Sequence, residues 1–261
     1  MNSLILRREG AVAHLILSRP PINALDREAL EEISLAVEEI RIERETRVLV
    51  ITGGIEGIFC SGGDLKYWRQ AQNENEAGNT GRRVFAQIEQ LPKPTIAAIN
   101  GQVIGDGLTL ALSCDLRIAS PLATFRLPEV AYGFIPGWGL IRRLIASVGK
   151  THASQFLLTG LPVDSRRAYG MGLLNEVVSA ERFMDEVREL GARMATLSPG
   201  ALRAAKCALR GGEEKACFEA VWSGNDRREG IDALFSKRTP IYGFDDQGGD
   251  GCDQIGRVQT D

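Results

Sequence analysis

Two glycine-containing loops, each between an apolar run and an expected helix, carry residue types that suggest chemistry. The first is Phe59-Cys60-Ser61-Gly62-Gly63-Asp64-Leu65-Lys66, and the second is the NGQVIGDG segment of residues 100–107. Backbone N–H groups at a helix start have no partner within the helix, so they can bind a developing negative charge. Two such loops aimed at one point would form a two-donor oxyanion hole, although each alone is also typical of an ordinary strand-to-helix turn.

Neither loop has the spacing of a nucleotide-binding motif. Residues 100–107 lack the GxGxxG spacing of dinucleotide-binding folds, and they lack the GK[ST] ending of a phosphate-binding loop. The two loops therefore point to chemistry other than nucleotide binding.

A glutamate, Glu129, lies in a mostly apolar stretch between Leu127 and Gly139. Burial disfavours a charged carboxylate, so we expect the pKa of Glu129 to rise toward the range that suits a general acid/base near neutral pH. A helix-capping or surface glutamate is the alternative that this segment alone leaves open.

Other catalytic and metal-binding patterns are not evident. The two histidines, His14 and His152, fall in an expected strand and an expected helix, where a structural role is usual. The five cysteines include no CxxC pair, and no Cys/His/Asp cluster has the spacing of a zinc site. We expect no metal, and we interpret the cysteines as free thiols of a reducing cytoplasm.

Composition limits the function classes further. The chain has 261 residues, 44% of them hydrophobic and 25% charged, which suits one sizeable α/β domain with a small extension. A net charge of −3 without a long basic run argues against a nucleic-acid surface. The chain opens without a signal-peptide pattern and has no run of about 18 apolar residues, so we expect no membrane span and a cytoplasmic location.

The elements that must position these loops follow from the hydrophobic pattern. Apolar runs predict strands at residues 3–9, 12–18, 47–52, 95–99 and 115–119. Asp26 is placed to cap a helix that continues to about Arg44. Strands that alternate with helices favour a layered α/β fold with right-handed crossovers.

The remaining segments are predicted to form a lid over the substrate and a helical extension at the C-terminal end of the chain. Residues 66–90 are polar, so we expect a mobile helix or loop that covers the substrate. Helical patterns follow at residues 181–197, 199–210 and 213–236. The residues after Tyr242 are rich in Gly and Asp and are expected to be disordered.

Together these segments resemble the enoyl-CoA hydratase/isomerase (crotonase) family from about residue 4 to residue 243. The specific pieces, in chain order, are Arg19-Pro20-x-x-Asn23-Ala24-Leu25, Phe59 to Lys66, Lys93-Pro94-x-Ile96-Ala97-Ala98-x-Asn100-Gly101, Ser113-Cys114-Asp115, Pro128-Glu129, Ile135-Pro136-Gly137 and Asp226-Arg227-Arg228-Glu229-Gly230. Each fragment is weak alone, but all of them in order are very specific.

The resemblance implies an α/β fold of the ClpP/crotonase type, a spiral of ββα repeats followed by helices that mediate trimerisation. It divides the chain into a core domain at residues 1–195, a C-terminal helical region at 196–243 and a flexible tail at 244–261. It also implies a homotrimer, or a hexamer made of two trimers.

The resemblance also assigns roles to residues. The backbone N–H groups of Gly63 and Asp106 would form the oxyanion hole, and Glu129 falls on a catalytic glutamate of the hydratases. The CoA moiety would lie along Cys60, Ser61, Gly63, Asp64, Leu65 and Lys66, with Phe218 and Lys237 near its adenosine 3′-phosphate end. CoA enters as part of an acyl-CoA substrate, so no metal or redox cofactor is expected.

The sequence departs from the hydratase pattern at two positions. Thr109 stands where hydratases carry a second glutamate, and a threonine can hold water but cannot act as a base near pH 7. Asp106 stands where glycine is usual. Its carboxylate is expected to cap the helix by bonding to the amide of Leu108 or Thr109; the alternative is that it replaces the missing glutamate as a second acid/base.

These departures favour a single-glutamate reaction over fast hydration. The options are a Δ3,Δ2-enoyl-CoA isomerisation, or other enolate chemistry such as C–C bond formation or decarboxylation. Two further readings stay open, a non-catalytic member that binds RNA and a thioester hydrolase. The acyl pocket is expected near residues 67–90, Phe134 and Trp138, with an aromatic wall formed by Tyr67, Trp68, Phe85 and Trp138, unless these are packing residues.

Overall fold

The computed structural model describes residues 3–70 and 74–243 of the chain. Strands and helices alternate through most of it. The strands are β1 Leu4–Glu9, β2 Val12–Leu17, β3 Val48–Gly53, β4 Ile58–Cys60, β5 Thr95–Ile99, β6 Gln102–Ile104, β7 Leu116–Ala119, β8 Thr124–Arg126, β9 Val163–Asp164 and β10 Glu176–Val177.

The helices are α1 Arg27–Ile42, α2 Leu65–Gln70, α3 Glu74–Gln90, α4 Asp106–Leu112, α5 Leu140–Thr159, α6 Ser165–Gly170, α7 Phe183–Ala195, α8 Pro199–Leu209, α9 Glu214–Trp222 and α10 Asn225–Phe235. A 3₁₀ turn at Glu129–Tyr132 follows β8. The helices within residues 3–70 and 74–243 are too short or too polar to span a lipid bilayer.

Two sheets organise the molecule. The six-stranded sheet has the order β1-β2-β3-β5-β7-β10, and the four-stranded sheet has the order β4-β6-β8-β9. In three successive repeats, which begin at β3, β5 and β7, the chain forms one strand of the large sheet, then one strand of the small sheet, then a helix. This alternation is the spiral of ββα repeats that the resemblance predicts, and that fold prediction is confirmed.

The small sheet positions the loops identified above. Its strands β4, β6 and β8 are neighbours and run parallel. Because parallel strands end at the same edge of a sheet, the residues that follow all three meet at that edge. Residues 61–64, 105–106 and 127–129 are those residues, so three segments far apart in sequence come together.

The core explains why these strands form. The central strand β3 is buried along Val48, Leu49, Val50 and Ile51, and β5 is buried throughout, as expected for strands covered on both faces. Helix α1 begins after Asp26, whose side chain accepts a hydrogen bond from the amide of Ala29, and packs Leu30, Ile33 and Val37 into the core. The capping role predicted for Asp26 is therefore present.

Some sequence expectations differ from the structure. The helix expected at 213–236 is two helices, α9 and α10, because the chain turns at Ser223-Gly224, where Gly224 has extended backbone angles. The short strands β4, β6, β8, β9 and β10 were not predicted. Residues 66–90 are largely helical, in α2 and α3, and the tail 244–261 lies outside the described residues. The boundary between the core domain and the C-terminal helical region at residue 195 stays a prediction.

Candidate active site

The loop after β4 is fixed against the chain segment that precedes α1. The amide of Leu25 donates to the carbonyl of Gly62 at 2.7 Å, and the amide of Asp64 donates to the carbonyl of Leu25 at 2.9 Å. Gly63 between them forms a parallel bridge with Leu25. Among the described residues no hydrogen bond uses the N–H of Gly63, which leaves it available to a ligand.

Gly62 brings this loop against the start of α4. Its φ is +76°, and a Cβ placed on it would lie 2.7 Å from the carbonyl oxygen of Ile104 and 2.8 Å from the amide nitrogen of Asp106. Only glycine fits that conformation and that space. The amides of Gly63 and Asp106 are therefore brought to one place, as the sequence analysis requires.

The second donor lies at the first residue of α4. Gly105 precedes it with φ +52° and donates its N–H to the carbonyl of Arg126 on β8 at 3.0 Å. Asp106 itself is helical, and its N–H, like all first-turn amides, has no partner within the helix. The second glycine-containing loop thus ends in a free helix N-terminus next to Gly62.

The carboxyl of Glu129 faces the same point. Glu129 begins the 3₁₀ turn after β8 and is 6% exposed. A Cβ on Gly105 would lie 2.5 Å from Oε1 of Glu129, so the carboxyl packs directly on the residue before Asp106. Its Oε2 is buried without a hydrogen-bond partner among the described residues. Glu129 is thus neither a helix cap nor a surface residue.

Burial governs the charge of Glu129. Desolvation raises the pKa of Glu129 above its ordinary value, because the buried carboxylate has lost its water. A raised pKa increases the proton affinity of the carboxylate and suits proton transfer near neutral pH.

The prediction that Asp106 caps α4 was wrong. The N-cap position belongs to Gly105, and the Asp106 side chain bonds to no backbone amide there. Instead its Oδ1 accepts a hydrogen bond from the hydroxyl of Thr109 at 3.0 Å. Asp106 cannot act as the N-cap because it is the first residue inside the helix, and its side chain therefore reaches Thr109 in the next turn.

The residues expected along CoA lie in and after the loop. The thiol of Cys60 is buried, donates to the carbonyl of Asn23 at 3.2 Å, and has its pKa raised to about 12 by burial, so it stays neutral. Oγ of Ser61 is buried without a partner among the described residues. Asp64 accepts from the amide of Lys66 at 2.8 Å, while Leu65 and Lys66 are exposed.

Phe218 and Lys237 lie in the C-terminal helical region. Phe218 on α9 is 57% exposed and packs against Trp222 in a tilted arrangement with ring centroids 5.3 Å apart. Lys237 is exposed just beyond α10. Phe218 contacts Trp222 and the amide of Lys237 donates to the carbonyl of Leu234, and among the described residues no hydrogen bond or ring contact joins either residue to the loop at 60–66.

Aromatic side chains close one side of the site. A Cβ on Gly63 would lie 2.3 Å from Nε1 of Trp68, so that indole packs on the proposed oxyanion loop. The rings of Trp68 and Phe85 lie 5.6 Å and 5.4 Å from that of Trp138, which is 2% exposed. Three of the four aromatic residues proposed for the acyl pocket are therefore in one cluster.

Sequence reasoning gave no role to Arg19 and Asn23, although their motif was noted. The guanidinium of Arg19 pairs with Asp64 at 3.0 Å and with Asp26, and it donates to the carbonyl of Ala24 at 3.1 Å. The Asn23 amide group donates to the carbonyl of Phe59 at 3.1 Å. These residues hold the loop after β4 in place. The spacing of Arg19 and Asn23 in their motif was the sequence signal that could have indicated this role.

A recess of about 950 Å³ lies elsewhere, between the end of α1 and helices α8 to α10. None of Gly63, Asp106 and Glu129 lines it. Carboxyls such as Glu43 and Asp226 do line the recess, but the residues assigned to the oxyanion hole and to proton transfer do not. The edge of the small sheet is therefore the better candidate.

Comparison with known proteins gives consistent results. Residues 7–243 match the family model described as enoyl-CoA hydratase/isomerase. The 2,3-dehydroadipyl-CoA hydratase of Escherichia coli is 36% identical over 253 residues, 93% of this chain and 99% of that protein. The crotonyl-CoA hydratase of Syntrophomonas wolfei is 34% identical over 250 residues, 91% of this chain and 96% of that protein. A crystal structure of an enoyl-CoA hydratase from Bacillus anthracis superposes with a TM-score of 0.90 at 33% identity, covering 94% of this chain and 100% of that one.

Proposed function

Since the chain belongs to the enoyl-CoA hydratase/isomerase family and is an enzyme that acts on acyl-CoA thioesters, we propose that it works through a thioester enolate. The N–H groups of Gly63 and Asp106 bind the enolate oxygen, and the carboxyl of Glu129 moves the proton. Thr109 completes the polar surface of the site through its hydroxyl.

One observation carries this proposal: the Asp106 amide and the Glu129 carboxyl meet at the loop that contains Gly62 and Gly63. Gly62 packs on the Asp106 nitrogen, and Glu129 packs on Gly105. When a proton leaves the carbon beside the thioester, charge moves to the thioester oxygen. Each preorganised donor to such an oxygen is worth roughly 3 kcal/mol.

The position of CoA is part of the proposal. Residues Cys60, Ser61, Gly63, Asp64, Leu65 and Lys66 contact the CoA moiety, and Phe218 and Lys237 hold its adenosine 3′-phosphate end, either in this protomer or in a neighbouring one. The unpartnered Oγ of Ser61 supports a ligand along this loop. CoA enters with the substrate, and no metal or redox cofactor takes part.

The reaction favoured by Glu129 is a 1,3-proton shift in a 3-enoyl-CoA. One carboxylate suffices for it, because the same group can remove a proton from C2 and return it to C4. Thr109 supplies no base. Hydration is the second candidate, and one observation favours it: the side chain of Asp106 is a second buried carboxyl, whose pKa is raised by burial and further by the charge of Glu129.

Crotonyl-CoA and a 3-enoyl-CoA offered side by side test the function, with Glu129→Gln as the variant. The wild-type chain is expected to turn over at least one of the two thioesters. Glu129→Gln is expected to lose turnover at least 10³-fold and to bind the thioester within about threefold of wild type, since general acid/base catalysis supplies about 10²–10⁴. Retained turnover would remove Glu129 from the mechanism.

The assembly state is also proposed, as a homotrimer or a hexamer made of two trimers. Large apolar side chains stay exposed in the C-terminal helical region of one protomer: Leu209 at 88%, Leu234 at 74%, Phe235 at 83% and Ile241 at 81%. Such surface is typical of an interface. A mass in solution of three or six chains supports the proposal, and a monomer contradicts it. A cytoplasmic location remains a prediction.

A further inference from the structure

The side chain of Asp106 is a buried carboxyl that the proposed enolate mechanism leaves unused. Only its backbone N–H serves as an oxyanion donor there. The residue is 7% exposed, and its Oδ1 accepts the hydrogen bond from Thr109 at 3.0 Å. A buried carboxyl is costly unless it is paired with a cation or holds a proton.

The groups that face Asp106 come from three elements. Glu129, from the 3₁₀ turn after β8, is the charged group that acts on it among the described residues. Cys60, from β4, faces it with a thiol whose hydrogen goes to the carbonyl of Asn23. Thr109, from its own helix, supplies the hydroxyl hydrogen bond. Asp106 therefore has a carboxylate, a neutral thiol and a hydroxyl around it.

Two carboxyls in one buried space do not both ionise readily, because their negative charges repel with little water between them. One of them keeps a proton while the other is charged, as in paired-carboxyl active sites. Glu129 has an unpartnered Oε2 that can take a proton, so the pair can hold a base and an acid together.

We propose that Asp106 is the second proton-carrying group of this site and that, paired with Glu129, it enables the chain to add water to an enoyl-CoA thioester. This inference rests on the proposed function, because it needs the same oxyanion hole and the same glutamate. It moves the second carboxyl from position 109, where the sequence has Thr109, to position 106. The thioester class is a 2-enoyl-CoA.

Hydration by this pair of carboxyls consumes one water molecule and returns both groups to their starting protonation states. Glu129 takes one proton from water as the water oxygen bonds to C3 and the C2–C3 double bond opens. The electrons move to the thioester oxygen, which the two amides hold. Asp106 gives its proton to C2, and the enolate collapses to the thioester. One proton then passes from Glu129 to Asp106, so the net change is the addition of H and OH across the double bond.

The division of roles follows from the enolate charge. The carboxyl of Asp106 belongs to the residue whose amide binds the enolate oxygen, so a charged carboxylate there would repel the enolate. A neutral Asp106 avoids that repulsion. It becomes an anion only when its proton moves to C2 and the enolate charge disappears.

The electrostatics agree with this division. Burial, with a further contribution from the charge of Glu129, raises the pKa of Asp106 to about 7, against the opposing hydrogen bond from Thr109. The acid is therefore protonated below about pH 7. Hydration is expected to decline as pH rises above that value, because the proton donor is lost.

The test measures hydration of crotonyl-CoA and isomerisation of a 3-enoyl-CoA across pH 5–9 for wild type and Asp106→Asn. Asparagine keeps the shape, the backbone N–H and the acceptor for Thr109, but it carries no transferable proton. Ser113→Ala is the matched control. It removes a buried hydroxyl at the C-cap of α4, at the opposite end of that helix from Asp106; among the described residues that hydroxyl donates to the backbone carbonyl of Thr109.

We expect Asp106→Asn to lower kcat for hydration at least 100-fold while KM changes less than threefold, and to abolish the decline of hydration above pH 7. Ser113→Ala is expected to stay within threefold of wild type. The double variant Asp106→Gly with Thr109→Glu returns the carboxyl to the family position and is expected to regain at least tenfold over Asp106→Gly alone.

Three outcomes separate the two proposals. An Asp106→Asn variant that keeps more than a third of wild-type hydration with the same pH profile overturns the role of Asp106 and leaves the enolate mechanism standing. A wild-type chain that isomerises 3-enoyl-CoA but does not hydrate crotonyl-CoA also overturns the role of Asp106 in hydration and leaves the enolate mechanism standing. A wild-type chain inactive on both thioesters overturns both proposals.

Discussion

The backbone of Gly62 lies against the amide nitrogen of Asp106, at a distance that leaves no room for a side chain on the glycine: a Cβ there would come within 2.8 Å of that nitrogen. The two residues are 44 positions apart, on loops that follow neighbouring parallel strands. This contact brings the amide of Gly63, in the loop before α2, close to the amide of Asp106 at the start of α4.

Gly62→Ala tests that contact. The new methyl group would meet the carbonyl of Ile104 and the nitrogen of Asp106, and the positive φ of 76° disfavours any L side chain. The loop must shift, and a shift of about 1 Å in a catalytic group costs about 100-fold. We expect kcat/KM to fall at least 100-fold in a steady-state assay with the active thioester.

Gly10→Ala controls for backbone strain. Gly10 also has a positive φ, of 59°, but a Cβ there meets nothing within 4 Å. We expect a loss of about 1–2 kcal/mol in unfolding free energy and unchanged activity. Equal activity in the two alanine variants would mean that the close approach of the two loops has no part in catalysis.

Asp106→Asn is expected to change stability with pH in a defined direction. The folded pKa is raised from 3.8 to about 7, so the folded chain keeps a proton that the unfolded chain releases. Wild type therefore loses stability as pH rises from about 4 to about 7, and asparagine does not. Denaturant unfolding should show the variant gaining about 2–3 kcal/mol on wild type between pH 5 and pH 8, at about 1.4 kcal/mol per pKa unit.

If the difference in unfolding free energy between Asp106→Asn and wild type stayed constant from pH 5 to pH 8, the side chain of Asp106 would not be the group that holds the proton. Ser113→Ala, which changes no titratable group, serves as the control and is expected to show a pH-independent difference from wild type.

Arg19→Ala is expected to impair catalysis through the loop after β4. The guanidinium joins Asp64 to Asp26 and to the carbonyl of Ala24, so its loss frees the segment that carries Gly63. We expect kcat/KM to fall tenfold to 100-fold, with a lowered melting temperature. Arg27→Ala is the matched control, because Arg27 pairs with Glu31 on the exposed face of α1. Similar losses in both variants would indicate a general effect of removing an arginine.

Trp68→Ala is expected to widen the acyl pocket. The indole packs on Gly63 and lies 5.6 Å from the ring of Trp138, so its removal opens space beside the oxyanion loop. The ratio of kcat/KM for a ten-carbon over a four-carbon enoyl-CoA should rise at least tenfold, and Tyr169→Ala, an exposed residue of α6, should leave it unchanged. An unchanged ratio in Trp68→Ala would make Trp68 a packing residue only.

Much of the fold could be predicted because its signals are local. The strand at 95–99 is a continuous buried run with the bounds that its apolar pattern predicts, and α1 begins where Asp26 caps it. The crotonase-like repeat was predicted from motif order. Its short strands β6 and β9 were not predicted, because two or three residues carry no periodicity.

The residues of the site were predicted correctly in part, but some of their side-chain contacts were not. Glu129 was singled out from its segment, Gly63 and Asp106 were assigned as oxyanion donors by the family resemblance, and the structure brings all three to one edge of the small sheet. The side chain of Asp106 was misplaced, because the helix boundary decides whether it caps or faces inward, and boundaries depend on tertiary contacts. The ion pair between Arg19 and Asp64 was also not predicted, since a contact between residues 45 positions apart has no local signal in the sequence.

A crystal structure of Glu129→Gln with bound crotonyl-CoA measures the central geometry directly, because the variant binds the thioester without consuming it. We expect the thioester oxygen to lie within about 2.7–3.1 Å of both amide nitrogens, those of Gly63 and Asp106, with the carboxamide of residue 129 beside C2 and C3. A thioester oxygen bound to neither amide would contradict the proposed enolate mechanism.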